Sequence, residues 1–105
     1  MIKYVVVKEK NTIYAILEGT RYDALNKMSK ITTKHGGTFS TYSDKYLMPK
    51  FFKAKVVCDP RDTWDEEEGK RRAKKKVLKN YYRSLDKRMD QFKADLDSLH
   101  EMVFN

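Results

Sequence analysis

From Thr63 to Asn105 the chain carries no proline, and its apolar residues recur at helical spacing. This stretch constrains the fold more than any other feature. Leu78, Tyr81, Leu85, Met89, Phe92, Leu96, Leu99 and Val103 are separated by steps of 3, 4, 4, 3, 4, 3 and 4. That is a heptad-like seam with one extra step of four, the mark of a stutter. About 40 residues at ~1.5 Å each make a rod of ~60 Å. A compact domain of this size has a radius of gyration near ~13 Å. Three outcomes are open: the helix projects from its domain, breaks near Ser84–Asp86 and folds back, or pairs through the seam with a second copy of the chain.

The N-terminal side of this helix is marked by Thr63-Trp64-Asp65-Glu66, which fits an N-cap and capping box with Thr63 as the cap. Asp65, Glu66, Glu67 and Glu68 then sit where the helix dipole favours anions. Gly69 is the one weak helix former near the start. Behind the seam, Arg72, Lys76, Lys79, Arg83 and Lys87 follow one another at steps of four, three, four and four. From Lys70 to Arg88 there are ten Lys or Arg against one Asp, whereas Asp90, Asp97 and Glu101 occupy the same face further on. Such runs are usually solvated faces. At this density, like charges at i, i+4 weaken the helix by a few tenths of a kcal/mol per pair, a strain that a bound polyanion would offset. The candidate binding residues are therefore Arg72, Lys75, Lys76, Lys79, Tyr82, Arg83 and Lys87. Tyr82 adds an aromatic on which an unpaired base can stack. Tyr81 shares that position but belongs to the seam.

Upstream, IKYVVVK (2–8) and TIYAILE (12–18) are β-branched and aromatic, with a polar break at Glu9-Lys10-Asn11, so they read as a hairpin. Ile13, Ala15 and Leu17 alternate with Tyr14, Ile16 and Glu18, which lets one face pack on a core. A short helix is expected over about 21–34, with Thr20 and Asp23 resembling a capping box. Its apolar face holds Tyr22, Ala24, Leu25, Met28 and Ile31, and Gly36-Gly37 stops it. Further strands are expected over 38–42 and about 51–58. The fold expected is α+β, in the order β-β-α-β-β-α: a four-stranded antiparallel sheet with the short helix on one face, then the long helix. The division expected is a small α+β domain over 1–62 and the long helix over 63–105.

The chain has 105 residues and a formal net charge of +8, with 36% of residues charged and 40% hydrophobic. This balance favours polyanionic or acidic partners. No apolar run approaches the ~20 residues of a membrane span. The opening MIKYVVVKEK lacks a long apolar stretch and a cleavage site, so a cytoplasmic protein is expected. With one cysteine, an internal disulfide is impossible, and Cys58 reads as a small buried residue at a strand end. There is no phosphate loop, HExxH or GxSxG. The carboxylates from Asp59 to Glu68 do not follow the EF-hand spacing and suit helix capping better than a metal. His35 reads as a residue at a helix C-terminus. No cofactor, no metal and no enzymatic activity are expected.

Residues 53–78, KAKVVCDPRDTWDEEEGKRRAKKKVL, carry Val57, Cys58, Pro60, Asp62, Trp64, Asp65, Gly69, Lys70 and Ala73. In this arrangement the segment resembles a pattern in small basic proteins of bacteriophages and prophages, with Trp64 where a Phe is more usual. The resemblance implies a strand handing over to a basic helix, with Trp64 as a staple against the sheet. It also implies an inhibitor of host defence of the anti-CRISPR type, working in the cytoplasm of an infected bacterium. Such an inhibitor would bind a nuclease, its guide RNA or an acidic surface of the ribonucleoprotein. The alternative is an accessory protein that binds DNA or RNA in general, dimeric through the seam.

Overall fold

The computed structural model describes residues 1–34 and 44–104. Three strands, β1 (Ile2–Val7), β2 (Thr12–Glu18) and β3 (Phe51–Val57), form an antiparallel sheet in the order β1-β2-β3. Two α-helices accompany it, α1 (Asp23–Lys34) and α2 (Glu66–Phe104). The class is thus α+β with a short helix and a long C-terminal helix, and the sheet has three strands among the described residues. The strand expected over 38–42 lies outside them, as do His35, Gly36 and Gly37. By contacts the chain forms two units: Met1–Thr20 with Pro49–Tyr82, and Arg21–Met48 with Arg83–Asn105.

In the first unit, β1 ends one residue before the expected boundary. Lys8–Lys10 form a 3-10 turn, and Asn11 takes a left-handed conformation (φ 49°) that an Asn tolerates well. Its N–H donates to the Lys8 carbonyl at 3.1 Å, and this closes the hairpin. The register aligns Val6, Ile13 and Val56 in one row, Tyr4, Ala15 and Ala54 in the next, and Ile2, Leu17 and Phe52 in a third. Side chains alternate across a sheet, so these nine share one face. They form one apolar cluster with Trp64, Ala73, Val77 and Leu78. The inner face is therefore covered by the first half of α2, the task the sequence assigned to the short helix. Trp64 does pack against the sheet, as expected. Cys58 is free and half-buried, a correction to the buried residue anticipated.

The cap of α2 also differs from expectation. Asp65, not Thr63, accepts the Glu68 N–H at 3.1 Å, and the Asp65 carbonyl accepts from Gly69 at 3.0 Å. A carboxylate at the N-cap adds the dipole term to the hydrogen bond. Gly69 has a positive reason to be small, since a Cβ there would run into the Ile13 side chain. The helix is unbroken through Ser84–Asp86, which removes the fold-back alternative.

Among the described residues of the second unit the buried side chains are Ala24, Met28, Tyr46, Met48, Leu85 and Phe92. The helix α1 starts at Asp23 rather than 21, because the Asn26 N–H reaches the Tyr22 carbonyl (2.9 Å). The hydroxyl of Thr20, expected to cap it, donates to the Pro49 carbonyl at 2.6 Å within the first unit. Tyr46 and Phe92 meet edge to face with ring centres 5.9 Å apart. The Tyr46 hydroxyl donates to Asp95, which also pairs with Lys45 at 2.8 Å and accepts from Gln91 at 2.9 Å. The hydrogen bonds from Lys45, Tyr46 and Gln91 bring the Asp95 carboxyl down to about 2. Burial, with Asp95 as a second cause, pushes the Tyr46 phenol up. Arg88 donates to the Leu47 carbonyl at 2.8 Å and to Ser84 Oγ at 2.6 Å.

Candidate nucleic-acid interface

The line of α2 that meets the sheet in the first unit is Gly69, Ala73 and Val77, spaced by four, with Ala73 and Val77 fully buried. At 100° per residue, Arg72, Lys76 and Lys79 then fall on one flank of the helix, while Arg71 and Lys75 lie opposite the sheet. These five cations line a shallow cleft of about 380 Å³. The flank runs beside the edge strand β3, for Lys76 Nζ donates to the Lys55 carbonyl at 3.0 Å. That bond satisfies a carbonyl of β3, the edge strand among the described residues.

The cations are not equivalent. Glu68 holds Arg71 through two hydrogen bonds, at 2.9 and 2.6 Å, and Arg72 through one at 3.0 Å. The hydrogen bonds from Arg71 and Arg72 lower the Glu68 carboxyl to about 2. Lys74, Lys75 and Lys79 are exposed and form no ion pair among the described residues. At the end of the cluster Tyr82 is 55% exposed, and its ring packs edge-on against Tyr81 at 5.2 Å. Tyr81 in turn meets Phe52 of β3 at 5.7 Å, so it belongs to the core side of the helix.

The expected binding residues fall into two groups. Arg72, Lys75, Lys76, Lys79 and Tyr82 share the first unit. Arg83 and Lys87 belong to the second, where Lys87 lines a separate shallow pocket with Lys45, Arg88 and Gln91. Arg71 was missed. Its i+4 and i+8 relation to Lys75 and Lys79 was visible in the sequence, but only the observed helix phase shows which row faces solvent.

The seam is used inside the chain. Leu85 and Phe92 are 5% and 3% exposed, while Leu78, Tyr81, Met89 and Leu96 are half-buried. A second copy could bury little more at Leu85 and Phe92. The side chains of Leu99 and Val103 lie outside the described residues.

A second cleft, of about 360 Å³, lies at the junction of β3 and α2, walled by Trp64, Asp62, Asp65, Glu68 and Arg72. Asp59 there is lowered by the Arg61 backbone N–H and then by its side chain, which makes it part of a turn. Among the described residues, no three or more His, Cys, Asp or Glu are placed to share a metal ion. No described helix is long and apolar enough to cross a membrane. Comparisons with family models, with curated proteins and with solved structures found no match.

Proposed function

We propose that this chain is a non-catalytic binding protein that holds the phosphates of an RNA on the basic first half of α2. What supports this reading most is the composition of the exposed surface of that half-helix. Arg71, Arg72, Lys74, Lys75, Lys76 and Lys79 are all exposed, and of the apolar residues between them Ala73 and Val77 are buried and Leu78 is half-buried against the sheet cluster. A tight protein–protein interface needs an apolar or aromatic centre that can be fully dried. This surface has none, whereas a phosphate backbone asks for cations alone. Tyr82 at its margin supplies a ring for a base.

The likeness of residues 53–78 to small basic phage proteins adds context. On it we place the RNA in a host defence complex, with the chain acting as an inhibitor of the anti-CRISPR type. The second reading is a general DNA and RNA accessory binder. It is favoured by the same cations, none of which selects one base over another on charge alone. Neither reading as proposed needs two copies to pair through the seam, whose Leu85 and Phe92 are already buried within the chain.

Fluorescence anisotropy with labelled RNA tests the proposal. Reversing Arg72, Lys75, Lys76 and Lys79 to Glu is expected to weaken binding by about a hundredfold or more and to flatten the salt dependence, since each phosphate contact in a single strand contributes a slope of ~0.7. Binding that survives the reversal would leave these cations as a solvated face. Equal affinity for duplex DNA and RNA selects the accessory role over the inhibitor.

A further inference from the structure

The outer face of the sheet is as unusual as the helix. By the register it carries Lys3, Ile16 and Lys53 in one row, and Val5, Tyr14 and Lys55 in the next. Phe51 and Val57 stand at the two ends of β3 on the same side. Of the eleven positions on this face only Thr12 is buried. Val5, Phe51 and Val57 are 46%, 56% and 58% exposed. A water-facing sheet surface is ordinarily polar. Here apolar and aromatic groups alternate with three lysines, and Glu18, paired with Lys3 at 3.1 Å, is the only acid.

Resting on the reading of α2 as a phosphate-binding surface, we propose that this face is its continuation, where the bases of a single-stranded RNA lie on Tyr14 and Phe51. Two observations carry it. The Lys53 ammonium sits 4.5 Å from the centre of the Tyr14 ring, so a cation already covers the ring face at the middle of the sheet. A stacking base takes that place while the lysine, on a flexible stem, turns to the adjoining phosphate. The second is continuity: Lys76 of the helix flank is hydrogen-bonded to the backbone of Lys55, whose side chain belongs to the outer face. One strand can therefore pass from the helix cations over the edge of β3 and onto the ring. Charge complementarity selects this occupant over a second copy of the chain, since face-to-face pairing would bring the lysines of one copy against those of the other. Single strands also offer what duplexes hide, the faces of unstacked bases.

The test uses the full chain with three probes, oligo(U) RNA, oligo(dT) and an RNA duplex, each measured by anisotropy. Tyr14→Leu keeps an apolar side chain on the sheet but removes the ring; Lys53→Glu reverses an exposed charge with no role in the core. Both are expected to weaken oligo(U) binding by about tenfold while duplex binding stays unchanged, and Tyr14→Phe is expected to restore the wild-type affinity. If neither Tyr14→Leu nor Lys53→Glu moves oligo(U), while reversal of the α2 cations still abolishes it, the face is not an RNA surface and the reading of α2 stands. If the wild-type chain binds none of the probes at low salt, the reading of α2 fails first and this proposal with it. Competition by polyglutamate as effective as by oligo(U), or tighter binding of oligo(dT), would also overturn it, in favour of an acidic protein or a DNA strand.

Discussion

The first half of α2 (66–82) holds seven Lys or Arg and three Glu, whereas the second (83–104) holds four Lys or Arg and five Asp or Glu. In the second half two charged groups are tied into the structure: Asp95 gathers Lys45, Tyr46 and Gln91, and Arg88 holds the Leu47 carbonyl and Ser84, while Arg83, Lys87 and Lys93 are exposed. In the first half Glu68 holds two arginines, Glu66 pairs with Lys70 and Lys76 donates to the Lys55 carbonyl, but Lys74, Lys75 and Lys79 have no acidic partner among the described residues. The difference teaches that charge density alone does not mark a binding surface. A cation already held by its own fold has less to offer a ligand than one left in water. The first half, where exposed cations cluster with few acids, is therefore the candidate interface.

The largest effect that can separate the halves is on stability. Phe92→Ala removes a ring that is 3% exposed and packed against Tyr46, so thermal or urea unfolding should show a loss of ~3–5 kcal/mol. The folded fraction should still bind RNA with unchanged affinity. A variant of full stability would mean that the second half does not anchor its unit.

Acid titration sharpens the same point. The Asp95 carboxyl is depressed to about 2, below the ~3.9 of an unfolded chain. A group depressed in the fold stabilises it above the unfolded value, and that stability is lost as pH falls through the folded value. Urea unfolding of the wild type should therefore weaken between about pH 4 and pH 2. Asp95→Asn should be less stable at neutral pH and should lose less stability across that window. Parallel curves for the two proteins would show that Asp95 is not the group responsible.

The smallest effect lies in the first half. Glu68→Gln removes the one carboxylate that competes with phosphate for Arg71 and Arg72. RNA binding should tighten by about two- to threefold, the size expected for exposed pairs. A weaker complex would instead assign Glu68 the task of orienting the arginines for their ligand.

Much of this was legible in the sequence. The absence of proline after Pro60 and the steps of three and four announced a single long helix. The alternation Ile13, Ala15, Leu17 announced which face of β2 is buried. The phase of α2 was not legible in its first half. Hydropathy singled out Leu78 and passed over Gly69, Ala73 and Val77, yet these three sit on the sheet. The reason is size: the facing rows hold Ile13, Tyr4 and Phe52, and a helix reaches them only where its own residues are small. That choice depends on the partner surface, which a periodicity cannot see. For the same reason the flank holding Arg72, Lys76 and Lys79 could be named but not placed beside β3. The cap was misplaced by two residues because both Thr63 and Asp65 are good N-caps, and the competition between them is decided by the chain's path out of β3. The outer face of the sheet was hidden in plain view, since Tyr14 and Ile16 looked like ordinary strand residues until the register set them among three lysines.

The most direct measurement compares two charge-matched double variants of the full chain, Lys75→Glu with Lys79→Glu against Lys27→Glu with Lys30→Glu, in RNA anisotropy at low salt. All four lysines are exposed, and each pair of substitutions changes the net charge equally. If the first half of α2 is the phosphate-binding surface, the first variant should lose about tenfold or more in affinity and the second should stay within about threefold of wild type. Equal losses would reduce the interaction to net charge, and an absence of RNA binding by the wild-type chain would contradict the proposed function outright.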